Sequence, residues 1–367
     1  MPVVLGQVVS RTGTNPGGCD NERGARLAVD ELNAAGGLLG QPVELVVADD
    51  RTSPAHAVKA FAEVVQAPVA GVVGTSFSNA SLAIIPAAET VRVPYVSTGA
   101  ADSQVDPVRP FAFMTPPTAS AVAEQLLRYC RAHGLAKVAL VGDENSVFAR
   151  TGLGKHLDLA PGHGVEWTHI ERFPMGTTEF AALFERVRGS GAQAVMAWVT
   201  GPPAVELVRQ RPRDLPLLMS HGNSDRRFLD LAGPAAEGVV AAASLGVVAR
   251  DLPESPVRDA AVALANAFEA RHGYAPSLYT VDGYTAVKLL AAAVAAAGSA
   301  DPSQVRDALE AVEVITPQGE YRYTATDHHG LTARHVAVTV VDGGRFVPTP
   351  WCRDELTATR QTRETPQ

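Results

Sequence analysis

The sequence predicts an α/β protein built from two lobes, each with a parallel sheet at its core. Short β-branched runs alternate with longer helical patterns along almost the whole chain. Near-continuous apolar strands between amphipathic helices are typical of a parallel sheet that is covered on both faces. The chain has 367 residues, and a single hydrophobic core stops growing at about 250–300 residues, so two lobes are expected.

The first half of the pattern is regular and ends before a proline pair. Gly36 and Gly37 end the first helix, as glycine does at helix C-termini. The predicted elements are strand 3–9, helix 21–34, strand 43–48, helix 54–65, strand 69–73, helix 80–90 and strand 95–97.

The same alternation restarts after Pro116 and Pro117. The predicted elements are helix 119–133, strand 136–141, helix 147–159, strand 165–170, helix 178–190, strand 194–199, helix 203–209, strand 217–220, a short helix near 225–231, strand 239–243, helices 255–272, 279–297 and 302–311, and hairpin-like segments 319–324, 334–341 and 345–347. Two such series with late helices left over indicate that the chain crosses between lobes more than once. Ligands of open α/β sheets bind at the carboxyl ends of the strands.

Composition excludes several classes of protein. Hydrophobic residues make up 46% and charged residues 19%, which is ordinary for a globular chain. The net charge is −8 without a block of like charge, so no nucleic-acid partner is expected. The cysteines are Cys19, Cys130 and Cys352, with no CxxC pair. Their odd number leaves at least one thiol unpaired, and folding without disulfides is expected.

Membrane and leader signals are absent from the pattern. The most apolar helical run, 286–297, is too short for a hydrocarbon core of ~30 Å, so no transmembrane helix is expected. The first strand begins at residues 2–3, where a secreted precursor would carry a charged and then apolar leader. Either a leader has been removed or the protein is cytoplasmic, and the sequence leaves both open.

Catalytic motifs are also absent, so neither an enzyme nor a cofactor is expected. The sequence has no GxSxG, Walker A, HExxH or GxGxxG pattern. Asp49 and Asp50 end a strand without a recognisable partner. His328 and His329 superficially resemble metal ligands, but adjacent strand residues point to opposite faces, which favours a structural role.

Two loops could hold a ligand. The segment 74–81 contains Ser78 and opens a helix, where hydroxyls, N–H groups and the helix dipole favour a carboxylate. Ser78 or Asn79 could equally be a plain N-cap. The segment 97–101 is a glycine-containing turn that lets backbone approach a ligand, or an ordinary strand-to-loop turn.

Several segments, in this order and spacing, carry a family resemblance. They are LGQVVS (5–10), GARLAVDELNAAGG (24–37), VVGTSFS (72–78), VPYVSTGA (93–100), AEG (236–238) and TPQG (316–319). From Val4 to about Val347 the chain resembles the branched-chain amino-acid-binding group of type I periplasmic binding proteins.

The resemblance implies two Rossmann-like lobes joined by a three-segment hinge near Pro117, Val248 and Gly330. Lobe 1 would comprise 1–117 plus 249–330, and lobe 2 would comprise 118–248 plus 331–357, with 358–367 as a frayed tail. It also implies a monomeric, extracytoplasmic solute-binding protein of an ABC importer. Such a protein closes its lobes on a small polar or carboxylate-bearing molecule and then meets a membrane permease. The alternative is a cytoplasmic sensor of the same fold for amides, urea or similar solutes.

In lobe 1 the resemblance assigns ligand contacts to Ser78 and to the turn Gly99, Ala100 and Ala101. Ser78 matches the carboxylate-binding serine, the Gly99 carbonyl would face an ammonium, and the Ala101 N–H would face a carboxylate. Ala101 lacks the hydroxyl that relatives often carry there. Tyr279 matches a cleft aromatic residue, with core packing as the alternative.

In lobe 2 the resemblance assigns Phe148 as an aromatic wall, with Thr200 and His221 on the loops after the next two strands. His221 stands where amino-acid binders tend to keep an acidic residue for the α-ammonium. A buried ammonium without a carboxylate partner costs several kcal/mol, so a carboxylate or neutral ligand fits better. The alternative for His221 is a surface loop residue. In lobe 1, Gly17 and Gly18 fall where relatives often have a bulky aromatic residue, which predicts a roomier pocket.

Overall fold

A computed structural model describes residues 1–14 and 17–364 and divides the chain into two compact units. Unit 1 comprises Met1–Thr118 and Asp259–Leu331, and unit 2 comprises Ala119–Arg258 and Thr332–Gln367. The chain therefore passes between the units after Thr118, Arg258 and Leu331. The second passage lies beyond Val248 because a 3-10 segment, Leu245–Asp251, packs against strands of unit 2.

The helices and strands alternate as the sequence predicts. The strands are β1 (Val3–Val9), β2 (Val43–Asp49), β3 (Val69–Val73), β4 (Tyr95–Ser97), β5 (Ala112–Met114), β6 (Lys137–Asp143), β7 (Glu166–Phe173), β8 (Ala194–Trp198), β9 (Leu217–Met219), β10 (Val240–Ser244), β11 (Glu313–Thr316), β12 (Gly319–Arg322), β13 (Val336–Asp342) and β14 (Arg345–Pro348). The helices are α1 (Gly18–Ala34), α2 (Pro54–Val64), α3 (Ser78–Val91), α4 (Ala119–Ala132), α5 (Val147–His163), α6 (Ala181–Gly189), α7 (Pro202–Gln210), α8 (Arg226–Ala232), α9 (Pro256–His272), α10 (Leu278–Ala297), α11 (Pro302–Leu309) and α12 (Pro350–Glu364).

Unit 1 has a five-stranded sheet in the order β2-β1-β3-β4-β5, with all neighbouring strands parallel. Helices α1, α10 and α11 bury one face of this sheet, and α2 and α3 bury the other. The predicted parallel sheet with both faces covered is confirmed. The carboxyl ends of β1, β2, β3 and β4 meet at one edge, which places the predicted loops 74–81 and 97–101 side by side.

Unit 2 has a seven-stranded sheet in the order β14-β13-β10-β9-β8-β6-β7. Strands β6 to β10 are parallel, while β13 is antiparallel to β10 and to β14. Gly343 and Gly344 turn the β13–β14 hairpin with φ of 57° and 70°, a backbone region that glycine adopts at little cost.

The end of the chain is helical where the sequence predicts a frayed tail. Helix α12 runs Pro350–Glu364, so the predicted tail at 358–367 is replaced by helix as far as residue 364, and residues 365–367 lie outside the described part. Thr349 Oγ1 accepts the N–H of Cys352 at 3.2 Å, and Pro350 takes the first helical position. A threonine followed by a proline is a typical helix N-terminus. The residues that follow are polar, which is why the sequence predicts a frayed tail and not a helix.

Helix α10 is long and apolar enough to cross a membrane by length and composition, unlike the shorter run 286–297 considered above. It is the one such helix in the described residues, and 72% of its apolar window is buried inside the protein. Leu289, Leu290 and Val294 on this helix belong to the hydrophobic core of unit 1. Core packing accounts for its hydropathy.

His328 is a structural residue in the core of unit 1. Its Nδ1 lies 2.8 Å from the Ala112 carbonyl oxygen, and its Nε2 lies 2.9 Å from Glu310 Oε1. The ring stacks on Phe113 with centroids 4.0 Å apart. Within residues 1–14 and 17–364, no group of three or more His, Cys, Asp and Glu side chains could hold a metal ion. His328 thus ties β5 to the segment that precedes the third passage.

His328→Ala is expected to lower the free energy of unfolding by about 2–4 kcal/mol, because it removes a buried ring together with its hydrogen bonds to Ala112 and Glu310. Urea denaturation followed by circular dichroism measures the change. His329→Ala is the matched control, since His329 is 34% exposed and should change stability by less than about 1 kcal/mol. Equal effects of the two substitutions would contradict the structural role of His328.

Candidate functional site

The two predicted loops of unit 1 are in direct contact. The Ala101 N–H donates to Ser78 Oγ at 3.3 Å, and a Cβ added at Gly99 would lie 3.0 Å from the same oxygen. Ser78 is the first residue of α3, and the cap position belongs to Phe77, whose side chain makes no capping bond. The Ser78 hydroxyl therefore serves the turn rather than the helix cap. Ser78 and Ala100 are 4% and 8% exposed.

Gln104, which the sequence analysis did not single out, holds this turn in shape. Its Nε2 donates to the carbonyls of Gly99 at 2.9 Å and Ala101 at 3.1 Å. Its Oε1 accepts the Ser97 hydroxyl at 2.6 Å, and Ser97 Oγ in turn accepts the Gly99 N–H at 3.0 Å. Gln104 is fully buried, so these bonds replace contacts with water that the turn would otherwise make.

The paired aspartates at the end of β2 bind hydroxyl groups of the neighbouring loops, partners that the sequence does not reveal. Asp50 Oδ1 accepts the Ser10 hydroxyl at 2.7 Å, and Ser10 Oγ lies 3.1 Å from Thr75 Oγ1. Asp49 binds the Thr12 hydroxyl at 2.6 Å. Burial raises the pKa of Asp50 in spite of its hydrogen bonds. These contacts join the loops that follow β1, β2 and β3.

Tyr279 lies at the N-terminal end of α10, is 7% exposed, and packs on the first loop. A Cβ added at Gly17 would lie 2.6 Å from its ring. The ring therefore occupies the space that a side chain at position 17 would fill. The predicted extra room at Gly17 and Gly18 is taken by Tyr279, and a Cβ at Gly18 would collide with the backbone of Ser10.

In unit 2, Phe148, Thr200 and His221 form one cluster at the carboxyl ends of the strands. The rings of Phe148 and His221 meet edge to face with centroids 5.3 Å apart. A Cβ added at Gly222 would lie 2.6 Å from Thr200 Cγ2 and 3.4 Å from the Phe148 ring. Ser146 accepts the N–H of Ala149 at 3.3 Å and so starts the helix that carries Phe148.

His221 is 1% exposed, which rules out the surface-loop alternative. Burial lowers the pKa of His221 to about 4, so the imidazole is neutral near pH 7. In the described part of the chain no hydrogen-bond partner reaches its Nδ1. The wall of unit 2 is therefore aromatic and uncharged at this position.

Trp198 packs against Phe148 of this aromatic cluster, a contact that the sequence analysis missed. Its ring lies 4.9 Å from Phe148 and 5.5 Å from His156. Trp198 is fully buried, and a Cβ added at Gly152 would collide with its indole. Burial lowers the pKa of His156 to about 4, and its Nδ1 lies 2.9 Å from the Gly152 carbonyl oxygen. Trp198 is the last residue of the apolar strand β8, and the sequence pattern does not indicate which aromatic rings its side chain contacts.

Gly152→Ala is expected to displace Trp198 and lower the free energy of unfolding by about 1–3 kcal/mol, as overpacking does. Thermal unfolding together with tryptophan fluorescence measures both effects. Gly154→Ala, two residues along the same helix, is the matched control, because a Cβ there meets nothing within 4 Å. It should stabilise the helix by about 0.5–1 kcal/mol, and the same loss in both variants would refute the steric explanation.

Comparisons with known proteins bear on this arrangement. A family model described as periplasmic binding protein matches residues 2–345. An amino acid binding protein of Pseudomonas aeruginosa is 27% identical over 332 residues, covering 87% of this chain and 85% of that protein. A leucine-, isoleucine-, valine-, threonine- and alanine-binding protein of the same species is 26% identical, covering 81% of this chain and 78% of that protein.

A solved structure has the same fold. A solute-binding protein of an ABC transporter from Rhodopseudomonas palustris, in complex with benzoate, superposes with a TM-score of 0.82. It is 20% identical, and the match covers 95% of this chain and 95% of that chain. At this identity the likeness shows the fold alone.

Proposed function

This chain belongs to the periplasmic binding protein family, in its branched-chain amino-acid-binding type I group, and on that premise we propose that it captures a small carboxylate-bearing solute for an ABC importer. The family consists of solute-binding proteins, which supports a non-enzymatic role. Its relatives are named as amino-acid binders, and a structural neighbour binds benzoate. An extracytoplasmic location, a permease partner and a monomeric state belong to the same proposal, as does closure of two lobes on the ligand.

The environment of Ser78 is the observation that supports a carboxylate-bearing ligand. Ser78 Oγ accepts the Ala101 N–H, so its own proton is left to donate to a ligand. Ser76 Oγ, in the same loop, is buried without a hydrogen-bond partner in the described residues. The first turn of α3 adds the positive end of the helix dipole. Hydroxyl donors combined with a helix N-terminus favour a carboxylate.

Ser78→Ala is expected to weaken binding of a carboxylate ligand by about 1–3 kcal/mol, because a buried hydrogen bond to a charged group is lost. A thermal-shift screen of amino acids, aromatic acids, amides and urea identifies ligands, and isothermal titration calorimetry then compares the variants.

Ser303→Ala, in α11 on unit 1, is the matched control and should leave the affinity unchanged. Wild-type affinity in Ser78→Ala would exclude Ser78 from the site. A response to amides or urea and to no carboxylate would favour the sensor alternative.

A further inference from the structure

Several backbone carbonyls around the Ser78 turn already accept hydrogen bonds from the protein. Gln104 Nε2 is shared by the carbonyls of Gly99 and Ala101. The Ser97 carbonyl accepts the Thr115 N–H at 2.9 Å. An ammonium group has three donors and no acceptor, so it needs oxygen atoms that face it. The Gln104 amide donates to the carbonyl oxygens of Gly99 and Ala101, which a cation at this turn would use. The positive end of the amide dipole repels that cation.

The carbonyls of the neighbouring loop are engaged in the same way. Thr98 Oγ1 donates to the Gly74 carbonyl at 2.8 Å, and Ser81 Oγ donates to the Thr75 carbonyl at 2.9 Å. Four carbonyls of the two loops, those of Gly74, Thr75, Gly99 and Ala101, therefore already accept protein donors, while the Ser78 hydroxyl keeps its proton for a ligand. This polarity suits an anion and opposes a cation.

Two carboxylates at this edge of unit 1, Asp49 and Asp50, already bind groups of the protein. Asp49 binds Thr12 and three backbone N–H groups, and Asp50 is fully buried beneath Ser10. Asp102 follows the turn directly but has an interaction of its own. Asp49 and Asp50 thus hold the loops together.

The aromatic cluster of unit 2, taken by itself, carries no charge at His221. His221 is neutral near pH 7 and packs on Phe148. The buried carboxylate at the end of β6, Asp143, accepts the N–H groups of Asn145 at 2.7 Å and Ser146 at 3.1 Å through the same oxygen. It shapes the loop that leads into α5.

We propose that the site selects small carboxylates that lack an α-ammonium group, and that Gln104 is the positioning residue that enforces this selection. The inference rests on the proposed function, since it names the class of solute that the Ser78 site takes. Gln104 holds the turn so that Ser78 faces an anion, and its amide covers the carbonyls that an amino acid would need.

The test compares ligands that differ only in the α-ammonium group. The pairs are leucine with 4-methylpentanoate, phenylalanine with 3-phenylpropanoate, and alanine with propanoate, titrated into the full chain by calorimetry at pH 7. In the pairs that bind, the acid without the amino group is expected to bind at least about 100-fold more tightly. Gln104→Met keeps the volume and removes the hydrogen bonds. It should narrow that ratio at least about 10-fold, because it frees the carbonyls of Gly99 and Ala101 for the ammonium group and so favours the amino acid relative to the acid.

A purely structural role for Gln104 predicts a different result, because both members of a pair would weaken by the same factor. Ser97→Ala removes the donor to Gln104 Oε1 and provides a second route to the same change if Gln104→Met does not fold. Equal or tighter binding of the amino acids would overturn the inference and leave the proposed function standing. Loss of that binding in Asp102→Asn would then identify the ammonium partner. Failure of every carboxylate to bind would overturn the inference and the proposed function together.

Discussion

Gly283→Ala is expected to lower the free energy of unfolding of unit 1 by about 3 kcal/mol or more, a larger loss than that expected for Gly152→Ala. A Cβ at this position would collide with the Asn21 carbonyl oxygen on α1. The reciprocal contact has the same geometry, because a Cβ at Gly24 would collide with the Thr280 carbonyl oxygen on α10. The obstacle is backbone on both sides, so no side-chain rotation relieves it, and the two helices must separate.

The measurement is urea denaturation, with the free energy of unfolding and its slope reported for each variant. Gly24→Ala should lower stability by a similar amount, since it forces apart the same pair of helices. Gly189→Ala is the matched control, because a Cβ at this position of α6 meets nothing within 4 Å. Wild-type stability in Gly283→Ala would show that the helices do not cross this closely.

The sequence predicted the sheet of each unit because strand identity depends on local patterns. Apolar β-branched runs such as β3 are followed directly by the polar loops that carry Ser78 and the 97–101 turn. Parallel strands bring their carboxyl ends to one edge, so the contact between Ser78 and Ala101 followed from topology. The family resemblance, rather than topology, singled out Phe148 and His221, whose rings meet at the corresponding edge of unit 2.

The missed features depend on contacts that no local pattern encodes. Gln104 is an ordinary polar residue in sequence, and only the fold shows that its amide bridges two carbonyls of the turn. Tyr279 reaches Gly17 across most of the chain length, so the space at Gly17 could not be assigned from the loop alone. His221 was left between a surface and a site position because polarity does not determine burial.

Asp282 lies next to Gly283 on α10 and is buried in the core of unit 1. Gln318 Nε2 donates to its Oδ1, and Gln318 Oε1 accepts the Tyr321 hydroxyl at 2.6 Å. No hydrogen-bond partner in the described residues reaches Asp282 Oδ2. Burial raises the pKa of Asp282 well above its ordinary value of 3.8, against the effect of the Gln318 bond. The folded protein therefore holds this proton at pH values where the unfolded chain has released it.

Asp282→Asn is expected to stabilise the protein increasingly as pH rises. Above about pH 4 the folded wild type binds one proton more than the unfolded chain, so its stability falls by about 1.4 kcal/mol per pH unit up to the pKa of the folded state. The asparagine keeps an acceptor for Gln318 and does not titrate. Urea denaturation at several pH values should show the gap between variant and wild type widening as the pH rises above about 5. Asp307→Asn, at a side chain that is 75% exposed, should give a constant offset. Parallel curves for Asp282→Asn and wild type would mean that the buried carboxyl does not hold its proton on folding.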